Sequence, residues 1–131
     1  MNFDLDSLIK ERIRKATDTF EAAKLLASEN YWNSAANRLY YSAFYAVLAL
    51  LAKMNAKTAT HSGAKSEFYR LFIKTGKINR KFGELYTDLF SKRQEGDYED
   101  FLNFRSEDII PMIPRVEEFI DTIIKELDEI N

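Results

Sequence analysis

Between Arg38 and Lys53 the chain runs for fourteen residues, Leu39 to Ala52, without a charged side chain. Tyr40, Tyr41, Phe44, Tyr45, Val47, Leu48, Leu50 and Leu51 in this run fall on nearly every side of a helix. A helix that is apolar all round needs cover on several sides, which places it at the centre of a bundle. The run is too short for the ~20 apolar residues that a membrane-spanning helix needs, so it reads as a core helix and no membrane association is expected.

The rest of the chain supplies the covering helices. Ile9, Ile13, Ala16, Phe20, Ala23 and Ala27 repeat at helical steps and predict a first helix over 5–28. Asn30 to Asn33 reads as a tight connection, and the central helix follows over 34–54. A third helix is expected over 62–74, closed by Gly76, and a fourth over 80–94, capped by Asn79 and broken by Gly96 and Asp97. Ser106 is placed to cap a last helix carrying Ile113, Val116, Ile120, Ile123, Leu127 and Ile130. Pro111 either kinks that helix or marks its true start. Only four glycines and two prolines occur, too few for a turn-rich β fold. The expected fold class is all-α, a bundle of four or five helices in one domain spanning 1–131.

Charge is unevenly distributed. Residues 53–93 hold ten basic and three acidic side chains, whereas residues 94–131 hold three basic and twelve acidic ones. A basic middle attracts polyanions, or else the two segments are solvated faces that balance each other. Cysteine is absent and the opening MNFDLDSLIKER is unlike a secretory signal, so a reducing cytoplasmic setting is expected.

Two places break the apolar rule. Phe82, Tyr86, Leu89 and Arg93 share one helix face, so a permanent cation ends an otherwise apolar stripe. Asn37 and Arg38 stand in the second turn of the central helix, Asn37 on the face of Tyr40 and Phe44, and Arg38 on that of Tyr41 and Tyr45. Burial of an unpaired guanidinium is costly, so each arginine needs an acceptor. That acceptor is an internal acid (Asp97 or Glu99 for Arg93) or the phosphate of a ligand gripped bidentately beside tyrosine hydroxyls. His61, in TATHSGAKSEF, is the lone histidine; with no cysteine it cannot build a metal site by itself, and neither metal nor cofactor is expected.

Together, AANRLYYSAFYAVLALLA, THSG, KTGKINRKFGELYTDLFSKRQEGDYEDF and the final acidic helix resemble HEPN domains, most closely the stand-alone prokaryotic type found beside a small nucleotidyltransferase. The resemblance covers nearly the whole chain. It implies an antiparallel, up-and-down four-helix bundle with an additional short helix, usually a homodimer. It also implies a toxin of a toxin–antitoxin pair or another RNA-cutting protein. In that family an arginine, then four to six residues, then a histidine meet their partner copies across the dimer. The pair acts as a metal-independent endoribonuclease, with attack of the RNA 2′-oxygen on its own phosphate.

Arg93 falls on the family arginine, but Tyr98 stands where the histidine belongs. An unperturbed tyrosine is deprotonated to about one part in a thousand at neutral pH, some 4 kcal/mol short of a ready base. The resemblance therefore implies a dimer cleft in which Asn37, Arg38, Tyr41, His61 and Arg93 bind the phosphate of RNA or a nucleotide, with weak or degenerate cleavage by Arg93 and Tyr98. The alternatives are an active ribonuclease toxin using Arg93 with Tyr98 or His61, or a non-catalytic protein adenylylated on a tyrosine by its nucleotidyltransferase partner.

Overall fold

A computed structural model describes residues 3–98 and 102–130. The helices are α1 (Phe3–Ser28), α2 (Trp32–Lys53), α3 (His61–Phe68, continued by a π-turn at Tyr69–Ile73), α4 (Arg80–Tyr98), α5 (Ser106–Ile109) and α6 (Met112–Glu129). No strand occurs among the described residues. As its composition requires, α2 lies at the centre and packs against every other helix.

α1 and α2 form the most extensive pair. Asn30 turns the chain between them at φ 65°, where Tyr31 N donates to Leu26 O at 2.9 Å. So short a connection makes the two helices antiparallel. Small side chains recur on both helices, Ala16, Ala23 and Ala27 on α1 and Ala36, Ala43 and Ala46 on α2, all buried. The other side of the core is aromatic. Tyr86 stacks on Phe119 with centroids 5.9 Å apart, and Phe68 meets Tyr86 edge-on at 5.5 Å. Edge and offset contacts of this kind add to the burial of large rings.

Four boundaries differ from the expectations. Asn33 belongs to α2, where its side chain accepts from Phe104 N at 2.8 Å and donates to Leu102 O at 3.0 Å, tying the chain beyond α4 to the central helix. Residues 69–73 leave the α-helical pattern for a π-turn, in which Lys74 N bonds Tyr69 O at 2.8 Å. Gly96 and Asp97 do not break α4, because the bare Cα of Gly96 serves packing. A Cβ there would stand 3.1 Å from the Phe104 ring. The last helix is split: Ser106 sits within the first turn of α5, Asp108 accepts from Arg105 N at 2.9 Å, and Pro111 caps a separate α6. Asn79 and Gly76 behave as expected, the first accepting from Lys81 N at 2.9 Å and the second adopting φ 79°.

Gly83 marks the closest approach of α4 to the π-turn. The Tyr69 hydroxyl donates to Gly83 O and is shared with Thr87 Oγ1. A Cβ on Gly83 would lie 3.1 Å from Tyr69 Cζ and 3.2 Å from Ile73 Cγ1. Those hydrogen bonds keep the tyrosine from yielding. Gly83→Ala is therefore expected to destabilise the fold by about 1 kcal/mol, overpacking outweighing the gain in helix propensity. Urea denaturation checks this, and a stabilised variant contradicts it.

Candidate functional site

The stripe that raised the question of Arg93 is buried throughout: Phe82 is 6% exposed, Tyr86 0%, Leu89 1% and Arg93 itself 9%. The guanidinium is held mainly by rings. Its carbon lies 5.0 Å from the Tyr40 centroid and 5.9 Å from those of Tyr41 and Phe90. Cation–π contact of this kind stabilises by about 0.5–2 kcal/mol, more where water is excluded. Its polar needs are poorly met. Among the described residues Nε is buried without an acceptor, and Nη1 reaches Asp97 Oδ2 only at 3.9 Å. Charge-assisted bonds normally lie near 2.8 Å, so Arg93 is neither free in solvent nor tightly paired. Glu99, the other acid expected beside it, lies outside the described residues.

Asn37 approaches from α2, its Nδ2 3.4 and 3.3 Å from the two Asp97 oxygens. Tyr41 is half-buried, one ring face toward Arg93. Arg38 is exposed and forms no ion pair with the cluster among the described residues, so one position separates a residue that joins the site from one that does not. Tyr98 closes α4, but its side chain lies outside the described residues.

His61 joins the cluster from an element that sequence spacing could not connect to it. It opens α3 behind the N-cap Thr60, whose Oγ1 accepts from Gly63 N at 2.8 Å. Its ring packs 4.4 Å from Phe44 and 5.7 Å from both Tyr40 and Tyr41. Its Nδ1 is 2.7 Å from the Tyr40 hydroxyl. Tyr40 is thus the hub, its ring against Arg93 and its hydroxyl on His61. Sequence reading treats Tyr40 as core, which its complete burial justifies. The only signal of a polar role is its place one turn beyond Asn37 on the same face.

Electrostatics sets the protonation states. Burial raises the Tyr40 phenol to about 12, against the opposing pull of Arg93. Tyr86, buried beside it, is pushed well above 10.0, first by burial and then by its neighbour Tyr40. His61 is lowered from 6.5, first by burial and then by the charge of Arg93. At neutral pH the cluster therefore presents a fixed cation, protonated phenols and a neutral imidazole able to accept a proton. No group of three metal-ligating side chains occurs among the described residues. The groove along Lys81, Leu85, Asp88 and Arg115, about 510 Å³, contains none of these residues.

Comparison with known proteins bears on this arrangement. The family model described as HEPN domain matches residues 9–127. The chain belongs to the HEPN family. A UPF0332 protein of Thermotoga maritima is 36% identical over 125 residues, 95% of each chain. Two proteins of Methanocaldococcus jannaschii named as candidate toxins are 30% identical over 130 residues (99% of this chain, 96% of theirs) and 31% over 100 residues (76% and 68%). The helical bundle is thus the HEPN fold. No helix among the described residues is long and apolar enough to cross a membrane.

His61 is the sole histidine, so its titration can be followed by NMR without ambiguity. Its midpoint is expected below 6.5 and should rise toward that value in Arg93→Gln. Because the folded state holds the proton less tightly than the unfolded state, this group's stability contribution is complete above pH 6.5 and is lost as pH falls through the lowered midpoint. An unmoved midpoint in the variant contradicts the coupling.

Proposed function

We propose that this HEPN protein binds a phosphate of RNA or of a nucleotide at Arg93, in a cleft completed where two copies meet, with weak or absent cleavage. It acts in the cytoplasm as the toxin-type member of a pair whose other half is a nucleotidyltransferase. The observation that carries the binding is a guanidinium nine-tenths buried among rings, which among the described residues has an unpartnered Nε and only a distant carboxylate. So costly a placement is explained by an anion that completes its hydrogen bonds. Asn37 and Tyr41 border the same point, and Lys65, one turn beyond His61, extends its positive field, its Nζ 5.8 Å from the Phe90 ring. The names of the two Methanocaldococcus relatives support the toxin-type reading. Weak cleavage follows from Tyr98, a residue poorly suited to proton abstraction at neutral pH, in the place of the family histidine.

A second reading is favoured by one contact. His61, neutral and tied through the Tyr40 hydroxyl to the ring that carries Arg93, supplies the base that the motif lacks. In that case the protein is a metal-independent endoribonuclease: His61 takes the 2′-hydroxyl proton as the 2′-oxygen bonds to phosphorus, Arg93 holds the charge that develops on the phosphate, and the P–O5′ bond breaks with the leaving 5′-oxygen protonated by water.

Fluorescence anisotropy with labelled single-stranded RNA separates these outcomes. Wild type should bind with strong salt dependence, and Arg93→Ala should weaken binding by roughly ten- to a hundredfold, the loss of a charge-assisted contact. Arg93→Lys keeps the charge without the fork and should be intermediate. Unchanged binding in Arg93→Ala rejects the proposal. RNA cut by wild type and left intact by His61→Ala would install the second reading.

A further inference from the structure

The acid that faces Arg93 is oddly placed for a structural partner. Asp97 lies in the last turn of α4, which holds no basic residue, so its charge opposes the helix dipole. Its side chain is 34% exposed while that of Arg93 is 10% exposed, so the carboxylate caps the guanidinium from the solvent side. It spans donors from two helices, Asn37 Nδ2 at 3.4 and 3.3 Å and Arg93 Nη1 at 3.9 Å. Every one of these distances is long. Two donors converge on one carboxylate without closing on it, a spacing that suits an anion larger than a carboxylate.

We propose that Asp97 is a built-in stand-in for the ligand, an autoinhibitory carboxylate covering Asn37 and Arg93 until a tetrahedral phosphate displaces it. This rests on the phosphate-binding reading. Displacement is easy because, among the described residues, Asp97 is held only by long bonds at the solvent edge, and because its release removes a negative charge from the negative pole of α4. The incoming phosphate gains both donors together, one from α2 and one from α4, and so is read by the spacing of those helices. Asp97 thereby sets a threshold: anions too weak to displace it leave the site closed.

The test compares wild type, Asp97→Asn and Glu95→Gln. The last removes the same charge from an exposed position in the same turn and controls for general electrostatics. Binding is measured by anisotropy with a labelled oligouridylate lacking a 5′-phosphate, and by calorimetry with ATP. Asp97→Asn should bind at least one probe about tenfold more tightly than wild type, the scale of one charge-assisted contact. Glu95→Gln should gain much less, and adding Arg93→Ala to Asp97→Asn should abolish the gain. Gain with the oligouridylate identifies a phosphodiester ligand, and gain with ATP alone a nucleotide phosphate. If wild type binds through Arg93 but Asp97→Asn gains no more than Glu95→Gln, the autoinhibitory role is overturned while phosphate binding stands. If neither wild type nor Asp97→Asn binds either probe, both are overturned.

Discussion

The face of one tyrosine ring carries the site. Tyr40, wholly buried in the central helix, lies under the Arg93 guanidinium and holds His61 by its hydroxyl. A cation at this depth in a bundle is tolerated because aromatic faces replace part of its lost hydration. They replace only part of it, since rings accept no strong hydrogen bond. Among the described residues the remainder is left to the distant carboxylate of Asp97, at the point where α2 and α4 meet.

The surrounding fold serves to fix α2, α3 and α4 relative to one another. Alanines bring α1 close along the length of α2, leaving its opposite flank to large rings. The π-turn after α3 brings Tyr69 onto the bare Gly83 of α4, and Asn33 ties the chain beyond α4 back to the start of α2. Each of these contacts lies outside the cluster, and each limits how far Arg93, Tyr40 and His61 can drift apart. Positioning of this kind matters because charge-assisted bonds weaken steeply with distance and angle.

The bundle was legible in the sequence because its signals are local. An uncharged run that is apolar on every face has to be central, and the alternating steps of α1 and α6 name the residues that cover it. Arg93 was legible for the same reason, as a charge on a stripe that is otherwise core. The boundaries that differed were those where one residue type serves two purposes. Gly96 reads as a helix stop, yet it is bare to admit Phe104, a contact no local pattern encodes. Asn33 reads as a loop residue, yet it binds backbone some seventy positions away. The partnership of His61 with Arg93 was hidden in the same way, because it passes through Tyr40, whose apolar setting conceals its hydroxyl. Asn37 and Arg38, adjacent in sequence, separate only when the helix rotation is known.

Whether the buried guanidinium is held for a phosphate can be observed on the group itself. Nitrogen-resolved NMR of the arginine side chains, recorded with and without a saturating oligouridylate, reports each guanidinium separately. A slowly exchanging Arg93 Nε–H is expected in the free protein, its resonance shifting on binding while that of exposed Arg38 stays near its free position. Binding that moves surface arginines and leaves the Arg93 resonance untouched would contradict phosphate binding at Arg93.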